Sequence, residues 1–185
     1  MRRVRIAPSF WVLLALVYWI EPGLLLPTAL AAAAHELGHA TALWLVGGRA
    51  EGLALSALGA ELRIAGSLSY ARELPVTLAG PAVSLALAWG AARAGRFLLA
   101  GISLALGLFN LLPILPLDGG RAAECLSGLL LGPVGAQRLQ DILAAVSLGT
   151  LLAFGAIALA QGFGFGLLAM GLWLGWNQLR GGKIA

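Results

Sequence analysis

Ionisable side chains are scarce in this sequence, and the scarcity limits what the chain can be. Charged residues make up 11% of its 185 positions and apolar residues 60%. An average soluble domain has about 25% charged and about 45–50% apolar residues. Too few charges are present to cover a water-facing surface, so the chain reads as a membrane protein, long enough for one compact bundle. Cysteine is nearly absent: Cys125 alone excludes an internal disulfide framework and reads as a small buried apolar residue. Histidine is limited to His35 and His39. No internal repeat is visible.

The apolar residues fall into six stretches, at about 6–20, 24–46, 75–92, 97–117, 142–160 and 162–179. Lengths near 20 residues match a hydrocarbon layer about 30 Å thick at about 1.5 Å per residue. The expected fold class is therefore an all-α polytopic membrane protein of six transmembrane helices, forming a single domain over residues 1–185. The first stretch is short and is followed by the turn "EPG". "MRRVR" and the apolar run up to "ALAAAA" imitate a secretory signal. The interruption at Glu21, Pro22 and Gly23, and a cleavage point directly before His35, argue for a retained span.

A net charge of +4 could suggest nucleic acid, but the positions of the charges exclude it. With a cytoplasmic N-terminus, six spans bring the C-terminus back to the cytoplasm. Arg2, Arg3, Arg5, Arg49, Arg63, Arg72, Arg121, Arg138, Arg180 and Lys183 then face inward, and only Arg93 and Arg96 face outward. That asymmetry follows the positive-inside rule, and the lipid bilayer accounts for the basic balance. Between spans two and three, "GGRAEGLALSALGAELRIAG" changes texture. Glu61 to Ile64 alternate polar and apolar, and Gly59 can serve a turn after Leu53–Leu58, so a short β-hairpin at the membrane surface is expected.

The second span holds "HELGH" inside a lipid-length apolar run. On a helix, His35 and His39 project from one face, about 40° apart on adjacent turns, so both imidazoles can reach one divalent ion. Glu36 is turned about 100° from His35 and can lie beside a metal-bound water. His-Glu-x-x-His on a helix is the zincin arrangement, two ligands and a general base. Uncompensated ionisable groups at that depth cost at least about 2.5 kcal/mol each, and a pair of merely structural histidines leaves Glu36 without a role.

A catalytic zinc takes three protein ligands and keeps one position open. The eight acids are Glu21, Glu36, Glu51, Glu61, Glu73, Asp118, Glu124 and Asp141. Glu21 is expected on the far side, and Glu51, Glu61 and Glu73 in the hairpin region. Asp118 stands out in "FNLLPILPLDGGR". Pro113 and Pro116 must break the fourth span, and irregular backbone at membrane depth is tolerated only against protein or water. The competing role for Asp118 is an N-cap on the next helix. Glu124 and Asp141 are the fallback ligands, though both are expected at helix ends in the interface. Spans two and four run inward together, which puts a metal below the inner surface, within reach of cytoplasmic water.

"HELGH", "LAGPAVSLALA" in span three and "FNLLPILPLDGG" together resemble the site-2 protease family of intramembrane zinc metalloproteases, most of all its branch around stage IV sporulation protein FB. The resemblance covers nearly the whole chain. It implies one Zn2+ ion held by His35, His39 and Asp118, Glu36 as catalytic acid/base, and a substrate-binding or site-organising role for Asn110. The family's third-span pattern is Ala-Gly-Pro-x-x-Asn; Ala79, Gly80 and Pro81 fit, but Ser84 replaces the asparagine. Many relatives carry a PDZ or CBS domain, and neither is expected within these residues, so regulation is expected from membrane partners or the core itself.

The expected activity is hydrolysis of a peptide bond in or beside a substrate's membrane segment. The expected substrate is a membrane-tethered protein, as in regulated intramembrane proteolysis, with pro-sigma factor processing during sporulation as the family analogue. The expected location is a bacterial cell membrane. The alternative is a zinc transporter or channel, which calls for several ligand stations across the bilayer, whereas this sequence has one cluster.

Overall fold

The computed structural model describes residues 3–8, 11, 15, 17–19, 21–56, 59–162 and 164–179. Its elements run in the order β1 (Arg3–Ile6), a 3-10 turn (Pro22–Leu24), α1 (Leu25–Leu45), β2 (Ala50–Ser56), β3 (Gly59–Ile64), α2 (Tyr70–Arg93), α3 (Phe97–Asn110), α4 (Asp118–Ala160) and α5 (Gly166–Leu179). The expected first span, 6–20, falls in large part on residues outside the described set. The chain divides into two compact units after Asn110.

In the first unit α1, α2 and α3 pack on one another, and β3 lies against α1. Helix α1 follows from its alanine-rich start, and Pro27 falls in the first turn, where a missing N–H costs nothing. Its buried positions Ala31, His35 and Gly38 follow the i, i+4, i+7 spacing of one helical face. Its outer face shows Leu26, Leu30, Leu37 and Trp44, the reverse of a soluble helix. Helix α2 buries Thr77, Gly80, Pro81, Ser84 and Ala88, and α3 buries Ala100, Ser103 and Gly107. Such small residues let helix backbones approach closely where lipid supplies no hydrophobic drive.

The region after α1 supplies two strands of a three-stranded sheet, ordered β1-β2-β3, whose third strand comes from the N-terminus. β2 and β3 pair antiparallel, with Leu53 opposite Leu62 and a register irregularity between Ala50 and Gly52. β1 pairs parallel to β2, with Val4 opposite Leu53. Arg3 and Arg5, expected only as inward-facing charge, and Ile6, expected to start a span, belong to this added strand. Glu73 is also reassigned. It lies in the first turn of α2, where a carboxylate suits the positive end of the helix dipole, and not in the strand region.

In the second unit α4 and α5 pack together, with Leu174 fully buried and Gly171 against Leu152. Expectation and structure differ most here. The helix expected from 142 begins at Val134, and another helical stretch from Asp118 precedes it, the two meeting at a kink where Gly132 takes φ 70° and leaves the helical conformation. Glu124 and Asp141 therefore stand within a helix and not at helix ends. The expected fourth span, to 117, ends as a helix at Asn110, because Pro113 and Pro116 cannot continue it. Among the described residues, Tyr70–Arg93 and Val134–Ala160 are long and apolar enough to cross a membrane, and Phe97–Asn110 is a shorter apolar helix.

Candidate metal centre

The site starts from the face of α1 that carries His35 and His39. His35 is 5% exposed, and its Nδ1 lies 2.9 Å from the hydroxyl of Ser84 on α2. His39 Nδ1 lies 2.8 Å from the carbonyl oxygen of Val76, also on α2. A carbonyl only accepts, so His39 carries its proton on Nδ1 and its Nε2 is bare. Both outer nitrogens are thereby occupied, and the two Nε2 atoms face one another 3.2 Å apart, with ring planes at 79°. Two nitrogens each about 2.05 Å from a tetrahedral zinc stand about 3.3 Å apart. The pair fits adjacent ligands of such an ion.

Local sequence explains why α2 can approach so closely. A methyl group on Gly80 would run into the Nε2 edge of the His39 ring, so only glycine leaves the imidazole its place. Pro81 has no N–H to give the carbonyl of Thr77, so the helical ladder is interrupted directly beside Val76. The Ala79-Gly80-Pro81 segment thus makes room for one histidine and lies next to its hydrogen-bond acceptor.

Glu36 follows His35 on α1 and is half-buried. Asp118 is the first residue of α4, and Leu117 holds the N-cap position without a side-chain cap hydrogen bond. The loop before it turns through hydrogen bonds from Ile114 N–H to Leu112 and from Leu117 N–H to Ile114. Side chains at Gly119 and Gly120 would collide with the backbone of Leu111 and Ile114, so "DGG" is what lets this helix start against its own loop. His35 and His39 lie on α1 in the first unit, and Asp118 opens α4 in the second. Asn110 ends α3, half-buried, and its Nδ2 donates to the carbonyl of Leu106 at 3.0 Å.

Sequence reasoning named the imidazoles but missed what holds them. Ser84 drew notice only as a departure from a pattern, and Val76 acts through its backbone, which leaves no mark in a sequence.

Comparison with known proteins agrees with this picture. The pattern described as Peptidase M50B-like matches residues 9–117, and that of Peptidase family M50 matches residues 91–154. Rip3 of Mycobacterium tuberculosis, named as a zinc metalloprotease, is 33% identical over 88% of this chain and 46% of its own length. The protein sll0528 of Synechocystis, named likewise, is 33% identical over 75% of this chain and 36% of its own. The chain thus spans less than half the length of these relatives. The fold is similar to that of a site-2 protease from Methanocaldococcus jannaschii, with a TM-score of 0.71 and 19% identity over 98% of this chain and 91% of that one. By the extent of these matches, the chain belongs to peptidase family M50.

Proposed function

We propose that this chain is an intramembrane zinc metalloprotease, an endopeptidase that cleaves a membrane-embedded or membrane-tethered protein. The observation that carries the reading is the pair of Nε2 atoms turned to one point, each ring fixed through its Nδ1. His35, His39 and Asp118 would hold one Zn2+ ion, which when bound supplies a water of lowered pKa and a polarised scissile carbonyl. The Glu36 carboxylate would take a proton from the attacking water and return it to the leaving amine. Asn110, beside the broken segment of the chain, would organise the substrate or the site.

A substrate helix must unwind before its carbonyls are accessible. In a sheet ordered β1-β2-β3, β2 is paired on both sides and β3 has an outer edge that no strand pairs among the described residues. An extended substrate segment would add there as a strand at the membrane surface. Proline substitutions across residues 60–65 should then slow cleavage in a protein that stays folded; unchanged rates sink that step.

The proposed setting is a bilayer crossed six times with both termini cytoplasmic, in a bacterial cell membrane. Regulation comes from membrane partners or from the core itself, and the substrate is a tethered transcription factor, such as a pro-sigma factor in a spore former. Co-expression of wild type and Glu36→Gln with tethered candidate factors tests the activity. Fragment release by the wild type alone, with zinc retained in both proteins, supports a protease. Equal release, or zinc flux insensitive to Glu36→Gln, points to a transporter instead.

A further inference from the structure

His35 and His39 differ in what holds them, and the difference singles out one more residue. The acceptor at His39 Nδ1 is a carbonyl, which fixes that ring in one tautomer. The partner at His35 Nδ1 is the hydroxyl of Ser84, 2.9 Å away on a side chain with 0% exposure. A hydroxyl can donate or accept, so it constrains His35 in position without imposing a tautomer. Resting on the metal-site reading above, we propose that Ser84 is a positioning residue. It accepts from His35 Nδ1–H, and so turns a bare Nε2 toward the point already faced by His39.

The geometry favours this over a merely structural serine. Ser103 on α3 is equally buried, at 0% exposure, and its Oγ has no hydrogen-bond partner among the described residues. Burial alone therefore does not give a serine hydroxyl an imidazole to hold. A metal-bound histidine commonly donates its second N–H to an outer partner, which fixes the ring and raises its basicity. An asparagine side chain also offers an oxygen acceptor, so S84N is the conservative replacement at this position.

The test uses the purified full chain and two readouts. Zinc affinity is measured by chelator competition for wild type, S84A, S84N and S103A. Ring nitrogens are observed by NMR in zinc-loaded, 15N-histidine-labelled protein, where only His35 and His39 contribute. S84A should bind zinc about 10–100-fold more weakly, S84N should recover most of that loss, and S103A should match wild type. In S84A the Nδ1–H signal of His35 should shift and exchange faster with water, while that of His39 stays. If S84A does not fold, S84N carries the test, because its amide acceptor must move the His35 signal while zinc stays bound. Wild-type affinity in S84A with an unchanged His35 signal, or an unmoved His35 signal in S84N, overturns the assignment. A wild type that takes up no zinc overturns the metal-site reading and this assignment with it.

Discussion

Helix α2 and the second half of α4 are both long and apolar enough to span a bilayer, yet they use that apolarity differently. In Tyr70–Arg93, 39% of the spanning window is buried within the protein, and in Val134–Ala160 only 11%. The buried side of α2 is built of Thr77, Gly80, Pro81 and Ser84, small or polar groups that admit a neighbouring helix and serve its histidines. Val134–Ala160 instead presents Ile142, Val146, Phe154 and Ile157 outward. Apolar content thus identifies the helix with the more exposed apolar surface better than the helix that packs against the histidines. Helix α1, which carries the histidines, is not among the two helices that pass on length and apolarity, because His35, Glu36 and His39 lower its apolar content.

The largest effect that would sharpen this contrast is at Glu36. Glu36→Gln should reduce peptide cleavage by about 10²–10⁴-fold with bound zinc unchanged, measured as fragment release beside metal content. Loss of zinc in step with activity would place Glu36 among the ligands. On the outward face, Val146→Arg should destabilise the membrane-inserted fold by about 2.5–3.5 kcal/mol if that face meets lipid near the bilayer centre. Unfolding in mixed micelles measures it, and a neutral result would mean that protein or water covers the face. Gly80→Val tests the inward side, since its side chain must displace the His39 ring; zinc affinity should fall about 10–100-fold. The smallest effect is expected for Val146→Leu, within about 0.5 kcal/mol, because an outward apolar swap leaves no cavity.

The parts of the molecule set by local pattern were legible in the sequence. Helix α1 was expected at 24–46 and found at Leu25–Leu45, because a lipid-length run between "EPG" and "GG" leaves little choice. Helix α2 was expected from 75 and begins at Tyr70, ahead of Pro75, which stands inside the helix and does not open it. The histidine pair followed from four-residue spacing alone. Other features depend on partners distant in sequence. Ser84 meets His35 across 49 residues, and Val76 meets His39 across 37, through contacts set by how α1 and α2 cross. β1 was illegible for a related reason: a strand of four residues has too little pattern to stand against its arginines, and only its pairing with β2 defines it.

The most direct measurement is X-ray absorption at the zinc edge of the purified chain, beside its His35→Ala and His39→Ala variants. The account predicts about one zinc per chain, with two imidazole nitrogens at about 2.0–2.1 Å and the remaining ligands oxygen. Each variant should lose one nitrogen from that shell, or the metal altogether. Protein free of transition metal, or a spectrum without imidazole scattering that the two variants leave unchanged, would contradict it.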